Sequence, residues 1–270
     1  MDKTPVILCF KWGKGYPATY TNILYRAVQD MHPDPVRFVC MTDDPAPLDP
    51  GIETIPFPAI AMPQAGWAKG MWAKLCAFAP GLFPDGTPVL MLDVDILLLD
   101  DLRPFIDTIR TKPGLHISRD FPDTLPRLFP KWFGKPLQSN SSVVGFLAGT
   151  QTHLFEDFKD KTLADLRSTR NDQNYIHSAA TDRHHWPDNW VLSFKRSCVY
   201  HFPVNLIRGV PKPQGRIVIF HGTPNPQDLI GPGFKRWGTN EKFGFFPVKW
   251  VQAYWHKYGG PRRPASDDRI

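Results

Sequence analysis

The first apolar run, Val6 to Phe10, is bounded by Pro5 and Gly13 and predicts a strand. A turn-rich loop follows, Trp12-Gly13-Lys14-Gly15-Tyr16-Pro17. A helix is expected from about Ala18 to Met31, because Ile23, Leu24, Ala27 and Val28 share one face at helical spacing. His32-Pro33-Asp34-Pro35 ends it. A second strand, Val36 to Met41, leads into Thr42-Asp43-Asp44-Pro45. Strand, helix, strand, with a polar loop after each strand, is how a parallel α/β sheet with ligands at its carboxyl edge begins.

A proline-rich connection with a short strand near Ile52 to Ile55 comes next, then a short helix from Met71 to Phe78. Val89 to Leu92 is a strongly apolar strand. After Asp93-Val94-Asp95 the apolar run resumes as Ile96-Leu97-Leu98-Leu99. Asp100 and Asp101 are placed to start the helix Leu102 to Ile109, where carboxylates meet the positive end of the helix dipole. Further strands are expected at Leu115 to Ser118, Ser142 to Leu147, Cys198 to Phe202 and Ile217 to Phe220, and a helix over Thr152 to Leu166. The whole reads as one α/β domain over residues 1–258 with a mostly parallel central sheet, and residues 259–270 as a flexible tail.

Composition narrows the function classes. Hydrophobic residues make up 42% of the 270, enough for a substantial core. No apolar run approaches the roughly 20 residues that span a bilayer. The N-terminus lacks a signal-peptide layout, so the expected compartment is the cytoplasm. The four cysteines are far apart with no Cys-x-x-Cys spacing, which argues for buried reduced thiols rather than zinc or redox chemistry. A net charge of +6 and a pI near 9.1 favour an anionic partner: a nucleotide diphosphate, a nucleic acid or a membrane surface. The 29 prolines imply long structured loops.

The chemistry centres on Asp93 and Asp95. One residue apart on a strand, their side chains would point the same way. Each flank is apolar, so two unpaired carboxylates there would cost several kcal/mol each, or take up protons. A divalent cation neutralises both, and hard oxygen ligands suit Mg²⁺ or Mn²⁺ completed by substrate phosphates. His221 is the natural third ligand, since it follows the strand Ile217-Val218-Ile219-Phe220 and precedes Gly222. A neutral imidazole suits Mn²⁺ better than Mg²⁺.

Five islands in order carry a resemblance to a known family: Trp72-Ala73-Lys74-Leu75; Val89 to Ile96 with Asp101-Leu102; Asn140-Ser141-Ser142-Val143-Val144-Gly145; Asp172-Gln173; and His221-Gly222. Together they resemble the retaining GT-A glycosyltransferases of the glycogenin and bacterial galactosyltransferase type, glycosyltransferase family eight. The resemblance spans roughly residues 6–226. It implies a GT-A fold, a nucleotide-sugar donor (a UDP-sugar foremost), and Mn²⁺, or Mg²⁺, held by Asp93, Asp95 and His221. It implies Lys74 near the donor phosphate and sugar, and Asn140, Ser141, Asp172 and Gln173 around the sugar, with Asp172, Gln173 and Lys74 as the catalytic set. Phe10, Lys11 and Tyr16 would hold the base, and Val94 and Gly222 would complete the donor site. In the family a lysine and proline follow the late His and Gly; here Asn225 stands at that place, and Lys235 or Arg236 are candidates to substitute.

The implied reaction transfers a sugar to an acceptor hydroxyl with retention. An inverting course would need a base, for which Asp120 or Asp172 is placed. Two rivals remain: a Mg²⁺-dependent nucleotidyl- or phosphotransferase, weakened by the absence of a Gly-x-x-x-x-Gly-Lys-Ser/Thr loop, and a non-catalytic nucleotide-sugar-binding protein. The acceptor is open among glycan, lipid-linked glycan, protein and a hydroxylated DNA base. Arg119, Phe121, Arg127, Phe129, Lys131, Trp132 and Phe133 form a candidate acceptor surface.

Overall fold

A computed structural model describes residues 3–121, 138–200, 204–231, 237 and 247–259. The first strand, β1 (Val6–Lys11), is buried along its whole length. Its alternating side chains enter two different cores. Ile7 and Cys9 pack in one, Val6, Leu8 and Phe10 in the other. That is why the run is continuously apolar rather than alternating. Helix α1 spans Ala18–Met31, with Ile23, Leu24, Ala27 and Val28 buried as the spacing predicts.

The remaining strands are β2 (Arg37–Thr42), β3 (Glu53–Ile55), β4 (Pro88–Leu92), β5 (Ile96–Leu98), β6 (Leu115–Arg119), β7 (Ser139–Leu147), β8 (Arg183–His185), β9 (Val191–Ser193) and β10 (Ile217–Ile219). The main sheet has the order β3-β2-β1-β4-β7-β6-β8. Its pairs are parallel except where β7 meets β4 and β6. The chain leaves β1 for β2 on one side and returns to β4 on the other, so β1 and β4 flank a switch point, where such sheets open a crevice at their carboxyl ends. A second sheet, β5-β10-β9, stands beside it. The other helices are α2 (Gln64–Trp67), α3 (Arg103–Thr111), α4 (His153–Glu156), α5 (Asp172–Ala179) and α6 (Lys249–Gly259).

Several expectations need correction. Asp93, Val94 and Asp95 are not on a strand; they form the turn between β4 and β5, where the chain passes from one sheet to the other. The helix expected over Thr152 to Leu166 stops after α4. The Lys159 carbonyl accepts from Ala61 N, and Thr162 turns back through its N–H and hydroxyl onto the Asp165 carboxylate, both at 2.7 Å. Such local bonds compete with helix. Cys198 ends a π-helix, Phe194–Cys198, rather than beginning a strand. The segment Trp72–Phe78 is a 3₁₀ helix. Gly259 still belongs to α6, and the rest of the expected tail lies outside the described residues. All four cysteines are buried and free, as expected.

Candidate active site

A cavity of about 540 Å³ opens at the carboxyl ends of β1 and β4. Lys11, Trp12, Gly13, Lys14, Gly15 and Tyr16 form one wall, continuing from Phe10 at the end of β1. Gln64, Ala65, Ala68 and Met71 form another. Lys74, Asp93, Val94 and Asp95 complete it. Seven expected site residues therefore converge: Phe10, Lys11, Tyr16, Lys74, Asp93, Val94 and Asp95. The volume and mixed lining suit a ligand of nucleotide size.

One ammonium of this wall meets the carboxylates of Asp93 and Asp172 and feels that of Asp95. Lys74 Nζ lies 2.6 Å from Asp93 Oδ1 and 3.8 Å from Asp172 Oδ2. The Ser141 hydroxyl donates to Asp172 Oδ2 at 2.7 Å, and Tyr16 OH donates to Asp95 Oδ2 at 2.7 Å. Lys74, Asp95 and Asp172 are 4, 8 and 3% exposed. Burial alone would discharge Lys74, but Asp93, Asp172 and Asp95 outweigh it and hold the ammonium above its ordinary range. Burial raises Asp172 against the opposing pull of Lys74 and Ser141. Asp95 is pushed up to about 7, by burial first and the Asp93 charge second, with Tyr16 and Lys74 pulling down. Tyr16 is raised by burial and by Asp95.

Backbone geometry fixes the cluster. Met71 adopts a left-handed conformation, φ +57°, immediately before the 3₁₀ helix that carries Lys74. Asp172 N donates to Gly70 O at 2.8 Å, so the start of α5 is tied to the Lys74 segment. Asn171 caps α5 through its side chain, which accepts from Asn174 N. Asp93 N donates to Ser142 O at 3.0 Å, anchoring the turn on β7.

The rest of the expected set is placed differently. Tyr16, in the cavity wall, has its hydroxyl on Asp95. Asn140 is buried, with its Oδ1 accepting from Ser142 N. Gln173 is half-buried in the first turn of α5, beside Asp172. Asn140, Ser141, Asp172, Gln173 and Gly222 do not line the cavity itself. His221 leaves β10 opposite the turn, because Ile219 pairs with Ile96. Its Nε2 is 2.7 Å from Ser193 Oγ and its ring stacks on Phe121, with centroids 6.0 Å apart. Asp93, Asp95 and His221 are not grouped as a metal cluster, and no three His, Cys, Asp or Glu are so grouped among the described residues.

Asn225 begins the 3₁₀ turn Pro226–Leu229, its N–H donating to Asp228 Oδ2 at 2.8 Å. Lys235, Arg236, Arg127, Phe129, Lys131, Trp132 and Phe133 lie outside the described residues. Arg119 and Phe121 are described and border a second cavity, of about 450 Å³, together with Asp120, Trp186 and Arg196. The residues missed in sequence are Trp12, Gly13, Lys14, Gly15 and the α2 wall. The glycine-flanked loop was the available signal. Asp43 secures it by accepting from Gly13 N at 2.9 Å and from the Gln64 side chain.

No protein-family model matches the chain, and no curated protein matches it in sequence. Solved structures do share its fold. The galactosyltransferase LgtC, in complex with donor and acceptor sugar analogues, matches with a TM-score of 0.57 at 15% identity, over 96% of this chain and 98% of that one. The glycosyltransferase GlyE of Streptococcus pneumoniae matches with 0.54 at 16% identity, over 96% of this chain and 62% of that one. The bifunctional glycosyltransferase WbbM matches with 0.52 at 12% identity, over 84% and 47%. The chain thus spans under two thirds of GlyE and about half of WbbM. Its fold is the GT-A fold of these transferases, as the sequence islands implied. Among the described residues no helix is long and apolar enough to cross a membrane.

Proposed function

We propose that this chain is a metal-assisted glycosyltransferase that takes a sugar from a nucleoside-diphosphate donor, a UDP-sugar foremost, to an acceptor hydroxyl. The observation that carries this reading is the cluster of Lys74, Asp93 and Asp95 in the wall of a nucleotide-sized cavity at the sheet's switch point, with Asp172 paired to Lys74 behind that wall. The fold shared with sugar transferases supports it.

The residues fit a hard divalent cation. Two carboxylates with only one ammonium between them and Asp172 leave excess negative charge in a poorly solvated place, and Asp95 answers by holding its proton up to about pH 7. Asp93 and Asp95 would hold Mn²⁺ or Mg²⁺, and His221, which emerges opposite their turn, is the third candidate ligand. Bound there, the cation would supply positive charge to the departing diphosphate.

The chain's own groups do the rest. Lys74 presents a fixed ammonium to the phosphate and sugar, already oriented by Asp93 and Asp172, so little reorganisation accompanies bond breaking. Asp172 is positioned by Ser141 and the Gly70 carbonyl, and with Gln173 it orients the sugar. Phe10, Trp12 and the aliphatic stem of Lys11 give the base an apolar wall. Tyr16 steers the Asp95 carboxylate towards the cavity. Asn140 and Ser141 shape the sugar side through β7, and Gly222 and Lys235 complete the expected donor set.

Incubation with UDP-, GDP-, CDP-, ADP- and dTDP-hexoses, with Mn²⁺, Mg²⁺ or EDTA, tests this when read by mass spectrometry. Glycan, lipid-linked, protein and hydroxylated-DNA acceptors should each be included. Release of a nucleoside diphosphate that requires Mn²⁺ or Mg²⁺ is the expected result. Consumption of nucleoside triphosphates instead would favour a nucleotidyl- or phosphotransferase. Metal-dependent nucleotide binding without sugar release, whatever the acceptor, would favour a binding protein.

A further inference from the structure

Among the described residues the exposed large hydrophobic side chains are Tyr200, Val204 and Ile207, and they fall in one short stretch. Ile207 is 87% exposed, and with Tyr200 and Val204 close to it in the chain the exposure is grouped rather than scattered. The same region is one-signed in charge. Residues 189–227 contain no Asp or Glu and five cations: Lys195, Arg196, Arg208, Lys212 and Arg216. Arg216 is balanced by Asp100 at 2.9 Å. Arg208, which follows Ile207, and Lys212 are exposed, and Arg208 lies over the Tyr200 ring, 5.7 Å from its centroid. Ile207 N and Arg208 N both donate to Val204 O, at 3.2 and 3.0 Å, so a tight turn holds the apolar and basic side chains together.

We propose that this surface, Tyr200 with residues 204–212, docks the protein on an acidic lipid bilayer. Ile207 and Val204 enter the headgroup–acyl boundary while Arg208 and Lys212 face the anionic headgroups. Bare aliphatic side chains next to cations match the two layers of such an interface. A nucleic acid offers an exposed isoleucine nothing, since single strands are held by aromatic stacking and phosphate contacts. A two-fold contact with a second copy would bring the same basic patch together from both sides. This inference stands on the surface itself and survives if the donor chemistry is otherwise.

Co-sedimentation of the full chain with sucrose-loaded vesicles tests it, comparing pure phosphatidylcholine with phosphatidylcholine containing phosphatidylglycerol. Each cation near an acidic surface is worth about fivefold in binding. The double variant Arg208→Glu/Lys212→Glu should therefore lose at least about 25-fold in partitioning to acidic vesicles. Ile207→Asp should lose about tenfold or more through its apolar contact. Both should keep wild-type melting temperature and wild-type donor turnover in solution. Equal binding to neutral and acidic vesicles, or wild-type binding by both variants, would overturn the proposal. So would a concentration-dependent rise in mass without vesicles that Ile207→Asp abolishes, since that would make the surface a self-contact.

Discussion

Replacing Asp95 with asparagine separates what this residue costs the fold from what it does in the site. In the metal-free protein its carboxyl is raised from 3.8 to about 7, by burial and then by Asp93. The unfolded chain ionises it near pH 4 and the folded chain only near pH 7. The carboxyl's contribution to stability is therefore fully kept below about pH 4, falls as pH rises from about 4 to about 7, and is lost above that. A rise of this size corresponds to about 4 kcal/mol at most. Because Asp93, Asp95 and Lys74 share one electrostatic site, about 2–4 kcal/mol is the expected cost at pH 8. Asparagine has no charge to desolvate, and its amide oxygen still accepts from Tyr16. In EDTA at pH 8 the Asp95→Asn protein should melt about 4–8 °C above wild type, at about 2 °C per kcal/mol for a chain of this size. At pH 5 the gap should be much smaller. Millimolar Mn²⁺ should raise the wild-type melting temperature and leave the variant unmoved, and metal-stimulated donor turnover should vanish in the variant. A variant that melts at or below wild type at pH 8 in EDTA, or a gap independent of pH, would refute the reasoning.

Three other outcomes follow from the geometry. Lys74→Met leaves Asp93 and Asp172 without their buried ammonium; it should destabilise by about 3–5 kcal/mol in denaturant titrations and abolish donor turnover. Gly114 has φ +110°, and a Cβ there would lie 2.2 Å from the Asp182 carbonyl oxygen; Gly114→Ala should cost at least about 1–3 kcal/mol in thermal melts with kcat in the surviving native fraction unchanged. His221→Ala should raise the Mn²⁺ concentration for half-maximal donor turnover by about tenfold or more, equivalent to about 1.4 kcal/mol of metal binding. Unchanged Mn²⁺ dependence would remove His221 from the ligand set.

The parts of the fold that read directly from the chain are those where burial and local preference agree. β1 and α1 are examples: the first is apolar throughout because both faces are covered, and the second places Ile23, Leu24, Ala27 and Val28 on one stripe. The helix over Thr152 to Leu166 illustrates the opposite case. Leu154, Phe155, Phe158 and Leu166 are buried at nearly helical spacing, yet Ala61 and Asp165 take the backbone groups that a helix would need. Helix α5 was invisible for a different reason. It buries Asp172 beside Tyr175 and Ile176, so its inner face carries a carboxylate where an apolar stripe would have announced it. In the site, the acidic pair could be placed from its apolar flanks, whereas Lys74 and the residues at the end of β1 came only through the family resemblance. The cavity wall from α2 could not, since nothing in Gln64–Trp67 marks the approach of residues fifty positions away. The bond from Tyr16 to Asp95, which joins residues 79 apart, was equally out of reach.

The turn at Asp93-Val94-Asp95 is clamped at both ends by sheet registers. Leu92 is paired with Val143 before it, and Ile96 with Ile219 after it. Adding or deleting one residue here would push one of the two sheets out of step, exchanging inward and outward side chains along β4 or β5. The turn is therefore closed to change of length, whatever ligand lineages of this chain come to prefer. The loop from Trp12 to Pro17 meets no such double constraint: although Gly13, at φ +56°, favours glycine, Gly15 has open space around it, with nothing within 4 Å of an added Cβ. Sequence divergence should accumulate in that loop as insertions and substitutions, while the acidic turn keeps its three residues as a fixed ruler between two sheets.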